Sequence, residues 1–225
     1  MTTPLPIEAP SRTARVYEAV RADILAGRLA PGSRLGVAGL VETYKCSIGV
    51  IREALQRLAE QGLVTSAPKL GFRVVEISEK DLVDLTDARC EIEVLALKYA
   101  IAGGDLGWEG RVVAAHHRLE RTPQYDPADP ARFSDDWVLA HGEYHQALLD
   151  GCTNNRILAT ATMLRDSAEL YRRWSAPLHD RDRDIAGEHR AILDAAVGRD
   201  SDRACELLCT HIRRTTDALL TPPSS

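Results

Sequence analysis

The chain has 225 residues, 44% hydrophobic, 27% charged and only 5% aromatic, with a formal net charge of −5. That suits a globular chain of one or two domains with helix-forming cores of Leu, Ala, Val and Ile, and no apolar run reaches the roughly 20 residues of a membrane-spanning helix. The N-terminus lacks the basic start and apolar core of a secretory signal, and five cysteines without a Cys-x-x-Cys point to a reduced, cytoplasmic setting.

The charge is uneven. Residues 11–77 carry ten Lys/Arg against six Asp/Glu, whereas residues 78–225 carry eighteen against twenty-six. A basic front on an acidic body predicts two domains, 11–77 and 78–221, with a polyanion as partner of the first.

In chain order, Val16, Ala19, Val20 and Ile24 predict a helix over 13–26 that Gly27 stops. A Pro31-Gly32 turn follows, then a short amphipathic helix through Val37, Leu40, Val41 and Tyr44. Ser47 is the N-cap of a third helix, whose inner stripe is Ile51, Ala54, Leu55 and Leu58 and whose end is Gly62. Strands at 63–66 and 72–75 flank a turn at 67–71. Helix, helix, tight turn, helix and hairpin make a winged helix-turn-helix, whose third helix enters the DNA major groove.

The remainder predicts helices near 79–102, 105–120, 131–150, 154–175, 182–198 and 200–220, an all-helical bundle. The fold class is therefore mainly α. His141 and His145 stand four apart, so one helix face carries both imidazoles at metal-ligand spacing. Arg89 and Glu93 have the same spacing, which serves either a cavity guanidinium that meets an effector carboxylate or an internal ion pair. His116 and His117 are expected at the surface, His179 in a loop, and Tyr171, Arg172 and Arg173 within reach of a cavity rim. Cys205 and Cys209 read as buried thiols on one stripe rather than a metal pair.

The segment from Val16 to Leu35, Arg52-Glu53-Ala54-Leu55-Gln56-Arg57-Leu58, Glu60-Gln61-Gly62-Leu63-Val64 and Gly71 resembles GntR-family transcription regulators. Asp87-Ala88-Arg89-Cys90-Glu91-Ile92-Glu93, Tyr144-His145-Gln146-Ala147-Leu148, Glu188-His189-Arg190-Ala191-Ile192-Leu193 and His211 resemble the helical FCD effector domain of the FadR-type branch. The resemblance implies a cytoplasmic homodimer on a near-palindromic operator, controlled by a small organic acid.

Arg34, Ser47, Ile48, Gly49, Arg52, Lys69 and Gly71 are the expected DNA-facing residues. Arg34 is matched to the family, Arg52 projects from the inner stripe, Gly49 admits the duplex, and Lys69 and Gly71 form the wing turn. The bland alternative for Arg52 is a surface salt bridge. The family usually carries Arg at Ile48 and Thr-Pro at Gly49-Val50. Ile48 cannot hold a phosphate; it either meets a thymine methyl or turns inward.

The resemblance also implies a metal site on three helices in the pattern Asp-x-x-x-His, His, His. His145, His189 and His211 fall on its histidines, and His141 stands where Asp is usual. Four imidazoles favour zinc, with nickel or another ion that prefers nitrogen next. Two competing functions are a DNA-binding dimer without metal or effector, and a metal-dependent hydrolase. The second is disfavoured because Glu143, two residues after His141, faces away from it on the helix.

Overall fold

The computed structural model describes residues 11–67, 71–76, 78–128, 133–174 and 183–220. The chain divides between residues 77 and 78 into two compact units.

The first unit runs α1 (Arg12–Leu25), β1 (Arg34–Leu35), α2 (Val37–Tyr44), α3 (Ile48–Glu60), β2 (Val64–Ala67) and β3 (Gly71–Val74). Serine hydroxyls cap two of the helices: Ser11 accepts from the Ala14 amide, and Ser47 from that of Val50. Lys45 ends α2 in the left-handed region at φ 49°, which turns the chain within three residues into α3. Val16, Tyr17, Val20 and Ile24 of α1 are buried, as are Ile51, Ala54, Leu55 and Leu58 of α3, and the two helices pack together. These apolar stripes follow the 3.6-residue period, so both helices are fixed by burial more than by propensity.

The sheet has the order β1-β3-β2 and is antiparallel throughout. Val64 lies opposite Val74, and Leu35 opposite Phe72. Gly71 opens β3 at φ +77°, a conformation that L side chains rarely adopt. The arrangement is a winged helix-turn-helix. Its two-residue strand β1 has no sequence signal, because Arg34 and Leu35 become a strand only by pairing with Arg73 and Phe72.

The second unit is helical: α4 (Glu79–Gly103), α5 (Leu106–Arg121), α6 (Asp135–Leu149), α7 (Asn155–Trp174), α8 (Ile185–Val197) and α9 (Ser201–Leu220). Ser78, Asp105, Ser134 and Asp184 cap α4, α5, α6 and α8. α4 packs on α9 and α7, α5 on α6 and α8, and α8 on α9. The core holds Leu97, Ala100, Trp108, Val112, Tyr144, Leu148, Ile192 and Leu208, all essentially without solvent exposure. Trp108 donates its indole N–H to the Ala147 carbonyl at 3.0 Å. Gly151 lets that corner close, since a Cβ there would meet the Ala100 carbonyl oxygen at 2.7 Å.

His116 departs from its expected surface place. It is buried beside Tyr144, their rings edge-on at 5.3 Å. Val112, Ala115 and Leu119 form the same inward stripe, whereas His117 is exposed. Among the described residues no helix is long and apolar enough to cross a membrane.

Trp108→Ala removes a fully buried ring and its hydrogen bond to the Ala147 carbonyl, which keeps only the 3.3 Å bond from the Asp150 amide. It is expected to destabilise the protein by about 3–5 kcal/mol, read as a lowered urea midpoint by circular dichroism.

Candidate metal centre and nucleic-acid interface

Three helices of the second unit bring four histidines together. His141 and His145 come from α6, His189 from α8 and His211 from α9. All four are buried, and one ligand-capable nitrogen from each lies within 4.8 Å of the others. The Nε2 atoms of His141 and His145 are 3.2 Å apart. Two nitrogens bound tetrahedrally to zinc at about 2.0–2.1 Å stand about 3.4 Å apart, so this spacing fits a metal. The Nε2 of His189 is buried without a hydrogen-bond partner, the condition of a lone pair reserved for a ligand.

Protonation favours the same chemistry. Burial pushes the His141, His145 and His189 imidazoles well below their ordinary value. Arg172 lowers His141 further, and neighbouring rings lower His145 and His189. Burial also lowers His211, against the opposing pull of Glu188. Neutral imidazole is the metal-binding form.

A second layer holds the rings. Glu188 Oε2 lies 2.8 Å from His211 Nδ1, which puts the proton on Nδ1 and the lone pair on Nε2. Burial raises the Glu188 carboxyl, but hydrogen bonds from Arg183, His211 and Arg214 outweigh it and hold the group well below the usual carboxylate range. Tyr144 donates its hydroxyl to the His189 carbonyl at 2.8 Å. The Trp137 ring stacks on His141 with centroids 4.8 Å apart.

Cationic side chains surround the cluster. Arg172 Nη1 is 2.6 Å from His141 Nδ1, and its guanidinium is paired with Glu169. Arg165 donates to Gln146, while its Nη1 is buried without a partner. Arg89 donates Nε to Glu93 at 2.6 Å, and Glu93 is only 1% exposed. The internal ion pair is therefore formed, and the terminal nitrogens of Arg89 have no hydrogen-bond partner among the described residues. Sequence reasoning missed Arg165, Arg183 and Glu188, because only the packing of α7, α8 and α9 brings them to the site. Glu143 is exposed and paired with Arg118, away from the rings. Cys205 is buried and Cys209 half-buried, both as free thiols.

In the first unit, α3 presents Ile48, Gly49, Arg52 and Gln56 to solvent. Arg52 and Arg34 are exposed, and their side chains have no hydrogen bond or ion pair among the described residues. Glu53, the candidate salt-bridge partner of Arg52, instead accepts from Thr13 at 3.1 Å. A Cβ on Gly49 would meet only Ser47 Oγ, at 3.9 Å, so internal packing does not require glycine there. Ile48 is 57% exposed and stands outside the inner stripe. Gly71 is exposed at the wing. Lys69 and His179 lie outside the described residues, as does the side chain of Arg173.

Residues 12–74 match the bacterial regulatory proteins of the gntR family, and residues 84–214 match the FCD domain. The HTH-type transcriptional regulator BphR of Paraburkholderia xenovorans (strain LB400) is 37% identical over 93% of this chain and 86% of its own length. The HTH-type transcriptional repressor GlaR of Escherichia coli (strain K12) is 32% identical over 87% of this chain and 90% of its own. Among solved structures, a GntR regulator described from Rhodococcus sp. RHA1 superposes with a TM-score of 0.73 at 25% identity, covering 94% of this chain and 98% of that one. E. coli McbR/YncC shares the fold with a TM-score of 0.76 at 19% identity, over the same shares.

The buried rings set a pH dependence. Their folded-state values lie below the ordinary histidine value near 6.5, so the unfolded chain binds more protons and stability falls as pH drops below about 6.5. Chelator-treated protein is expected to lose up to about 1.4 kcal/mol per histidine for each pH unit below that point. Urea titrations from pH 7 to 5 measure the slope, and His189→Asn is expected to reduce it.

Proposed function

The chain belongs to the gntR family of bacterial regulatory proteins, with an FCD domain as its second unit, and from that premise we propose that this transcriptional regulator senses a small carboxylate metabolite through a metal centre. His141, His145, His189 and His211 hold the ion. The convergence of four buried, neutral imidazoles carries this reading. Zinc suits the donor set, and nickel or another ion that prefers nitrogen suits it next. The ion supplies a Lewis-acidic position for a carboxylate oxygen. Four neutral ligands leave its charge undiminished, which favours an anionic effector more than a site with one aspartate would.

The chain's own residues do the rest. Glu188 fixes the His211 ring, and Tyr144 holds the backbone at His189 and meets its ring edge-on. Arg89, held by Glu93, turns its remaining N–H donors to the effector. Arg165, buried beside Gln146, adds a second guanidinium with an unused nitrogen. Effector binding changes operator affinity through the difference in its affinity for the two states of the protein.

At the front, α3 enters the major groove. Arg52 reaches a base edge or phosphate, and Ser47 and the first-turn amides of α3 meet a phosphate oxygen. Gly49 allows close approach, Arg34 flanks the groove, and Lys69 and Gly71 form the wing contact. A homodimer in the cytoplasm reads a near-palindromic operator.

Two measurements test this. As purified, the protein is expected to hold about one transition-metal ion per chain by elemental analysis, and His145→Ala to lose it. Metal-free native protein whose operator affinity ignores carboxylates would favour a plain DNA-binding dimer. Arg52→Ala is expected to weaken operator binding at least about fivefold at fixed salt with unchanged melting, by analogy with the roughly 1–3 kcal/mol of one specific base contact; unchanged affinity in a gel-shift titration would remove that role.

A further inference from the structure

Ile48 is the first residue of α3, and its side chain is 57% exposed. Among the described residues of the first unit it is the one large hydrophobic side chain that stands exposed. The inward face of α3 is complete without it, since Ile51, Ala54, Leu55 and Leu58 are buried and without exposure. Its neighbours Ser47 and Gly49 are small and also exposed. More than half of its surface is therefore in solvent, and the buried stripe of α3 does not use it.

Ile48 and Arg52 are four residues apart, so both point outward from one face, about 6 Å apart along the helix axis. That is roughly two base-pair steps. The major groove presents hydrogen-bonding atoms at every base pair, and its apolar feature is the C5-methyl of thymine. An isoleucine offers no donor or acceptor, so the methyl is the part of the groove that it can recognise favourably.

We infer that Ile48 is a specificity residue that packs on the C5-methyl of one thymine in each operator half-site, within about two base pairs of the base contacted by Arg52. This rests on α3 being the groove-reading helix. It predicts a T·A pair at a position where an arginine in the same place would select G·C.

The test uses the full-length protein and a duplex selected from random sequence by repeated binding. Each thymine of a half-site is replaced in turn by deoxyuridine, which removes the methyl alone, and affinity is measured by fluorescence anisotropy at fixed salt. At one thymine the replacement is expected to weaken binding about three- to fivefold, the factor that one buried methyl carries. Ile48→Ala is expected to lose a similar factor on the thymine duplex and to show no further loss on the deoxyuridine duplex, the mark of a direct contact. Ile48→Arg is expected to shift the selected base at that position from thymine to guanine. Both substitutions are at an exposed site, and unchanged melting confirms that each variant is folded. If no thymine is coupled to Ile48, or if deoxyuridine weakens the native protein and Ile48→Ala equally, the inference is overturned while groove reading by α3 stands. If the native protein selects no duplex, the groove reading itself fails, and the inference with it.

Discussion

Four imidazoles share the interior of one helical domain, and that fact constrains everything around them. Burying a polar ring without a partner costs about 1–3 kcal/mol, so a cluster of lone pairs is unfavourable in an apolar core. Much of the second unit is arranged to bear that cost. Trp137 stacks on His141, Tyr144 fixes the backbone at His189, and Glu188 accepts the hydrogen bond of His211 Nδ1. The Nε2 of His189 remains unanswered. A bound cation would satisfy it, and would turn the loss into the free energy that holds three helices in register.

The arginines make the balance finer. Arg172 lies 2.6 Å from His141 Nδ1. Its Nη1 also lies 3.1 Å from Nε2 of the same ring, and a guanidinium can only donate, so the ring answers it with a lone pair. A neutral imidazole has one lone pair, so Arg172 and a metal would compete for it. Arg172 also pairs with Glu169, which gives the guanidinium a second partner.

Much of this architecture was legible in the sequence, and the exceptions have physical reasons. Helix positions follow from apolar period and capping residues, and Ser47 caps α3 as its position predicts. The pairing of His141 with His145 follows from a spacing of four, whereas His189 and His211 came only from family resemblance, because tertiary packing has no local period. His116 was readable and misread: Val112, Ala115, His116 and Leu119 have the spacing of a buried stripe, and the polarity of histidine concealed it. β1 and the contacts of Arg165, Arg172, Arg183 and Glu188 depend on partners distant in sequence, which no local pattern encodes.

The first unit sorts its cations by what else they must do. Arg57 lies over the Tyr17 ring, Arg28 is held by Asp23, Arg12 donates to the Lys45 carbonyl, and Arg73 donates to the Gly32 carbonyl. Each has donors committed to the fold. Arg34 and Arg52 have no side-chain donor committed among the described residues, and neither do Arg15 and Lys45, which lie off α3. A phosphate or base edge must replace existing bonds at the first group, and at the second it replaces only water. Ile48 extends the argument to apolar groups, since folding leaves it in water beside Arg52 on the same helix face. What the fold leaves uncommitted on α3 is a cation and a hydrocarbon one turn apart, a pair that suits a duplex groove better than it suits solvent.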